Sequence, residues 1–402
     1  MKTALAYGAT FVTGFAACAL ILYLAQGRPS VGREATLPPG RQALSQALAK
    51  SPSGSGGHAL SGLPSVADAA ARVAPAVVSI EVEGHESVPG RGFFGQFRTE
   101  DRRFEGSGSG IILSAEGYVL TNYHVISPLI SQPTAKCQVT LADGRRFSVT
   151  VIGGDQASDL AVIKLLGAKT LTPALLGDSD TLRVGDWAIA VGSPLGFNST
   201  VTLGIISALN RQYPHQDSTA VERVIQTDAS INPGNSGGAL ANGEGRVIGI
   251  NTAIATTSGA AAGIGFAIPI NTARKIAAQL IENGKMLRPY LGVVYTPLSE
   301  VERSALPGSL TLPPDNQGVL VHANNGAAVV QGSPAQKSGI LEWDILRTAD
   351  GKPLDDSEGL RKIIASHAVG EVLKLTLWRN GTEQELAIPL EEMPEGFSQP
   401  NR

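Results

Sequence analysis

From residue 75 to residue 268 the chain is a succession of short runs rich in β-branched residues, with no alternation of strand and helix patterns between them. The runs cover 75–82, 110–113, 118–121, 137–141, 147–152, 160–165, 187–191, 200–208, 224–227, 247–250 and 265–268. Branched side chains lose little rotamer freedom on a pleated surface. The turn sequences Ala115-Glu116-Gly117 and Ala142-Asp143-Gly144 separate neighbouring runs at hairpin spacing. Short strands with a turn every ~8–12 residues predict a barrel or sandwich, not a helix-covered parallel sheet. Helices are expected only at the two ends of this stretch. The second is expected over 271–281, with Asn271 as its N-cap and Gly284 just past its end. Residues 83–108 are long and mixed and carry Phe93, Phe94 and Phe97, which suggests a loop with an interaction role; plain disorder is the alternative.

The N-terminus has a different character. No charge occurs between Lys2 and Arg28, and most of this segment is apolar. About 20 such residues reach across a bilayer core of roughly 30 Å. Residues 1–27 are therefore expected to form an uncleaved transmembrane signal anchor, with a cleaved signal peptide or lipid attachment at Cys18 as alternatives. Residues 28–64, rich in Pro, Gly and Ser, read as a flexible linker. Cys18 and Cys137 are the two cysteines, too few for a disulfide framework or a Cys-rich zinc module. The histidines show no metal-binding spacing, so no metal or cofactor is implied. With 32 basic against 35 acidic residues, the chain has no electrostatic footprint for nucleic acid.

The chemistry centres on Gly234-Asn235-Ser236-Gly237-Gly238. A serine between glycines lets the backbone approach a substrate carbonyl, and neighbouring amides can face a developing oxyanion. The pattern also satisfies G-x-S-x-G. A hydrolase elbow, however, needs strand–helix flanks and the order serine, acid, histidine, and the later histidines, His322 and His367, fall in a different domain. Upstream, His124 lies just beyond a strand end and Asp159 at a strand start. The order His124, Asp159, Ser236 is that of chymotrypsin-type proteases. A serine hydroxyl needs a base, His124 can be that base, and Asp159 would fix its tautomer. Each residue alone also fits a structural role.

Seven ordered segments carry a wider likeness: 120–126 (LTNYHVI), 158–165 (SDLAVIKL), 191–197 (VGSPLGF), 200–209 (TVTLGIISAL), 226–240 (QTDASINPGNSGGAL), 247–254 (VIGINTAI) and 263–269 (GIGFAIP). Together they resemble the HtrA/Deg family of trypsin-like serine proteases, and the single following PDZ-like segment with an N-terminal anchor resembles its DegS type. The resemblance implies a mainly β fold: a chymotrypsin-like double β-barrel over 65–286, then an α+β PDZ domain over 287–392, with a tail at 393–402. It implies ATP-independent cleavage of unfolded or mislocalised proteins, or of a regulatory membrane protein, in quality control of the bacterial envelope. It further implies a homotrimer held at the inner membrane, with its catalytic domains on the extracytoplasmic side. The amides of Gly234, Asn235 and Ser236 are the expected oxyanion hole. Ser230, six residues before the nucleophile, stands where trypsin-type enzymes carry the pocket base. With Ile231, Thr252, Ala253 and Ile254 it predicts a small apolar pocket rather than one for Arg or Lys. Asn235 stands where zymogen-activated proteases carry Asp, which argues for reversible loop ordering, and the Gly/Ala-rich segment 256–263 is a candidate mobile loop.

In the second domain Tyr290, Leu291, Gly292 and Val293 match the family's carboxylate loop. Leu360, Ile363 and Ile364 lie on the helix expected to flank a groove for peptide C-termini, which would add as a strand. Trp343 stands where the family has Gly, and residues 324–330 look like an insertion. The rival from another class is a PDZ-bearing chaperone or sensor with an idle protease site.

Overall fold

The computed structural model describes residues 45–46, 65–91, 97–194, 199–214, 221–254, 263–324 and 326–394. A first helix, α1 (Val66–Val73), is capped by the Ser65 hydroxyl and leads into six strands, β1 (Val77–Arg91), β2 (Phe97–Ile112), β3 (Tyr118–Thr121), β4 (Lys136–Thr140), β5 (Arg146–Asp155) and β6 (Leu160–Leu165). They close into a barrel in the order β1-β2-β3-β6-β5-β4. Strands β7 (Trp187–Gly192), β8 (Thr200–Pro214), β9 (Val221–Thr227), β10 (Ala239–Ala241), β11 (Val247–Ile254) and β12 (Gly265–Pro269) close a second barrel with the equivalent order, β7-β8-β9-β12-β11-β10.

Strand alternation explains why the sequence shows continuous apolar runs. Along β6, Ala161 and Ile163 point into the first barrel, among Ile80, Ile112 and Val139. Leu160 and Val162 point the other way, into a cluster shared with Ile189, Val191, Val247 and Ile250 of the second barrel. Both faces are buried, so neither needs polar residues. The second barrel has its own core of Ile206, Ile225, Leu240 and Ile248.

Three features differ from expectation. Residues 83–91 and 97–108 are not a loop: β1 and β2 remain paired out to Arg91 opposite Phe97, forming a ribbon that runs beyond the contact of β1 with β4 at Glu83, while Phe93 and Phe94 lie outside the described residues. Helix α2 (Tyr123–Ser131) interrupts the strand series after β3, with buried Val125 and Ile126 packed on the first barrel. It is too short, and too broken by Pro128, to show helical periodicity. Helix α3 (Ile270–Asn283) ends, as expected, at a left-handed Gly284, but Pro269 occupies its N-cap. The Asn271 side chain instead donates to Asp178 and accepts from Arg274.

The C-terminal part pairs β13 (Pro289–Tyr290) with β20 (Glu391–Glu392) and forms a second sheet from β14 (Tyr295–Pro297), β15 (Val319–Val321), β16 (Ile345–Ala349), β18 (Val372–Arg379) and β19 (Thr382–Pro389), with β17 (Lys352–Pro353) on β16. Helices α4 (Pro334–Lys337) and α5 (Ser357–Ala365) complete this α+β unit. Among the described residues no helix is long and apolar enough to cross a membrane. The anchor expected at 1–27 and the segment 255–262 lie outside the described residues.

Arg288, between α3 and β13, reaches back to Asp155 at the end of β5 with two 2.6 Å contacts. Asp155 also accepts from the amide and hydroxyl of Ser158. Burial alone would raise this carboxyl; the Arg288 hydrogen bonds and charge, with Ser158, outweigh it and hold the group below the usual carboxylate range. A depressed carboxyl contributes stability above its unfolded value of about 4, and that contribution is lost as the pH falls through the lowered folded value. Arg288→Ala is expected to cost about 2–4 kcal/mol at pH 7, because it strands a buried carboxylate. Denaturant unfolding should show the gap to wild type closing below about pH 4. A gap unchanged between pH 7 and pH 2 contradicts this account.

Candidate active site

The pairing of β3 with β6 sets the residues that follow β3 beside the one that precedes β6, and so brings Asp159 to His124. Asp159 adopts φ 50°, the left-handed region that Asn and Asp enter more readily than other non-glycine residues. Three hydrogen bonds hold it there. Its amide donates to Gln156 O, and its carbonyl accepts from the Tyr123 amide at 3.1 Å and from Asn122 Nδ2 at 2.9 Å. The buried carboxylate is thereby aimed at the first turn of α2. It accepts the His124 amide on Oδ1 at 2.9 Å and lies 2.8 Å from His124 Nδ1 through Oδ2. The same Oδ2 accepts the Thr252 hydroxyl at 2.7 Å. With Nδ1 facing a carboxylate, that nitrogen carries the proton in the neutral ring, which leaves Nε2 free to accept one. The His124 side chain is half exposed, against 4% for Asp159.

The serine loop lies where the two barrels meet. Gly237 has φ 81°, and a Cβ there would fall 2.2 Å from Ser109 O and 2.4 Å from Thr121 Oγ1, so only glycine fits. The Ser236 carbonyl accepts the Ser109 amide of the first barrel at 2.8 Å. The Ser236 hydroxyl donates to Thr252 O at 3.2 Å rather than to the His124 ring. Thr252 thus touches both halves of the site, with its hydroxyl on the acid and its carbonyl on the serine. Among the described residues the amides of Gly234 and Ser236 donate to no acceptor, whereas the Asn235 amide is committed to Asn232 O at 2.9 Å. The three-amide expectation is corrected to two, because a tight turn from Asn232 to Asn235 consumes the middle donor.

Other expected residues fall elsewhere. Ser230 is exposed near the serine loop, its carbonyl accepting from Thr202 Oγ1. Ile231 does not line a pocket: it is 2% exposed and belongs to the second barrel's core. Thr252 is buried and bonded as described, so its side chain is no pocket wall either. Ala253 and Ile254 continue β11. In the C-terminal unit Gly292 takes φ 85° and Leu291 O accepts the Ala335 amide. Leu360 and Ile363 are core residues, because α5 turns them inward; Ile364 is half-buried and keeps an outer surface. Trp343 does occupy a left-handed position (φ 74°), its ring stacked 4.3 Å from His322.

Ser109, Asn122 and the bridging part of Thr252 have no signature in the sequence. Asn122 and Thr252 lie inside quoted segments, yet nothing local distinguishes a side chain that reaches a carboxylate 93 positions away. Cys137 is no competing nucleophile: burial, with Glu81 beside it, pushes its thiol up to about 12.

Comparison with known proteins agrees with the two barrels and the C-terminal unit. A trypsin-like peptidase domain model matches residues 108–250 and a PDZ domain model matches 289–390. The periplasmic pH-dependent serine endoprotease DegQ of Escherichia coli is 43% identical over 338 residues, 82% of this chain and 70% of that protein. The putative serine protease HhoA of Synechocystis is 40% identical over 341 residues, covering 80% and 83% of the two chains. Among solved structures, the HtrA-type protease AlgW with decapeptide superposes with a TM-score of 0.68 at 37% identity, over 82% of this chain and 99% of that one. Two closed barrels with one strand order, a PDZ domain after them and relatives this similar over most of their length establish that the chain belongs to the HtrA/Deg family of trypsin-like serine endopeptidases.

Proposed function

We propose that His124 is the general base, Asp159 the acid that orients it and Ser236 the nucleophile of an acyl-enzyme mechanism. The observation that carries this is Asp159: held left-handed by three bonds, its carboxylate receives the His124 ring and a hydroxyl that belongs to the serine's own neighbour, Thr252. During attack the Ser236 hydroxyl exchanges the Thr252 carbonyl for His124 Nε2, which takes its proton. The scissile carbonyl oxygen becomes an oxyanion held by the Gly234 and Ser236 amides. His124 then returns the proton to the leaving amine, and water repeats the sequence on the ester. Catalytic hydrogen bonds are often looser before substrate binds. The bond to Thr252 accordingly favours a resting enzyme over a permanently idle one.

Around this centre, the substrates are unfolded or mislocalised proteins of the bacterial envelope, and the PDZ domain controls cleavage by binding peptide C-termini. Relatives named periplasmic endoproteases and a neighbour solved with a decapeptide support this reading. The N-terminal anchor and the homotrimer are parts of the same proposal. A fluorophosphonate that labels the full-length protein at Ser236, together with casein turnover raised by C-terminal peptides, tests it. An unlabelled protein leaves only the binding-module reading standing.

The S1 pocket, bounded by Ser230, Ala253 and Ile254, takes small aliphatic residues. Because Ser230 offers no carboxylate, a peptide panel should give a kcat/KM at least about tenfold higher for Val or Ala than for Arg at P1. Preference for Arg would refute the pocket.

A further inference from the structure

Ser109, on β2 of the first barrel, is fully buried and makes four hydrogen bonds among the described residues, three of them at the serine loop or the strand end beside it. Its hydroxyl donates to Gly234 O at 2.6 Å and accepts the Ser193 amide at 2.8 Å. Its own amide donates to Ser236 O at 2.8 Å, and its carbonyl accepts the Thr121 hydroxyl at 2.7 Å. We infer that Ser109 is a positioning residue for the oxyanion hole, an inference that rests on the protease reading above.

The geometry of the loop carries the inference. The peptide plane between Gly234 and Asn235 is clamped at both ends, its carbonyl on Ser109 Oγ and its amide on Asn232 O. The next plane is clamped by the Gly238 amide on Asn235 O. The Gly234 amide belongs to the plane before the first of these and the Ser236 amide to the second, so the clamped Gly234–Asn235 plane is the link between the two amide-bearing planes. Fixing it holds the two amides, which have no acceptors of their own among the described residues, in one mutual orientation, as a site awaiting negative charge requires. Of the clamps on these two planes, Ser109 is the one supplied by a side chain, and it comes from the opposite barrel. Gly234, at φ 98°, has no Cβ to restrict its rotation once that clamp is gone. Removing the hydroxyl therefore frees the Gly234–Asn235 plane and also leaves a buried carbonyl and the Ser193 amide unpaired. The loss falls on the tetrahedral state, where charge sits on the oxygen, and spares ground-state binding of the substrate.

The test compares full-length wild type, Ser109→Ala, Ser109→Thr and Ser236→Ala. Readouts are kcat and KM on a peptide with aliphatic P1, affinity for the matching peptide boronate, and thermal unfolding. Boronates add to the serine as tetrahedral anions and so report the hole directly. Ser109→Ala is expected to lose about 10²-fold in kcat and in boronate affinity, with KM within about threefold. Ser109→Thr, which keeps the hydroxyl, should recover most of both. Unchanged kcat and boronate affinity in Ser109→Ala overturns the inference, and so does a loss confined to KM. Should Ser109→Ala fail to unfold cooperatively, Ser109→Cys, similar in size with a weaker donor, takes its place under the same criteria. A wild type that neither turns over peptide nor binds boronate beyond Ser236→Ala overturns the protease reading itself, and the inference with it.

Discussion

Casein turnover by Ser236→Ala should fall to background while the protein unfolds within a few degrees of wild type. The two halves of this expectation have separate causes. Among the described residues the Ser236 hydroxyl makes one hydrogen bond, to Thr252 O, in a partly buried setting. Such a bond contributes about 1 kcal/mol net. The bonds that shape the loop run through the backbone of Ser236 and its neighbours, which alanine retains. Chemically, the loss is total for the acyl-enzyme route. Removing a serine nucleophile from a triad costs about 10⁶-fold in kcat. What remains is orientation and electrostatic stabilisation of direct water attack. Circular dichroism, thermal unfolding and casein hydrolysis on one preparation decide the matter. Turnover above about one per cent of wild type would remove Ser236 from its role.

Asp159→Asn should reduce kcat by about 10⁴-fold with little change in KM. Asparagine has the same shape and tolerates the left-handed region, so the bonds from Tyr123 and Asn122 to the backbone carbonyl survive. The charge and the acceptor count do not. Three donors converge on the carboxylate: the His124 amide, His124 Nδ1 and the Thr252 hydroxyl. A side-chain amide has one acceptor oxygen and turns an NH₂ group toward at least one of them. His124 is then driven to the tautomer with its proton on Nε2, where it cannot accept from serine, and the imidazolium formed during attack loses its counter-charge. Fluorophosphonate labelling separates this from unfolding: slow labelling of a cooperatively folded variant is the expected result, whereas a decrease of less than about tenfold argues that another group orients the ring.

Much of the architecture could be read from the chain because it is encoded locally. The β-branched runs and the turn at Ala115-Glu116-Gly117 express backbone preferences of neighbouring residues, and these strands form where the runs predict. Helix α2 and the β1–β2 ribbon escaped notice because neither carries a strong local period. In the C-terminal unit, the spacing of Leu360, Ile363 and Ile364 is that of any amphipathic helix. It identifies a helix with a buried face and does not say whether that face meets a ligand or the core; packing puts Leu360 in the core.

The chain by itself determined which residue types stand at 124, 159 and 236, in which order, and that short strands of a barrel or sandwich would carry them; the double barrel followed from the family resemblance. Only the folded molecule decided that Thr252 ties acid to serine across 93 positions, that Ser109 of one barrel grips the carbonyl of Gly234 from the other across 125, and that Ile231 turns into a core. Periodicity and turn chemistry act between residues a few positions apart and leave a mark in the sequence. A hydrogen bond between distant segments depends on how two closed barrels meet, and no short window of residues records that.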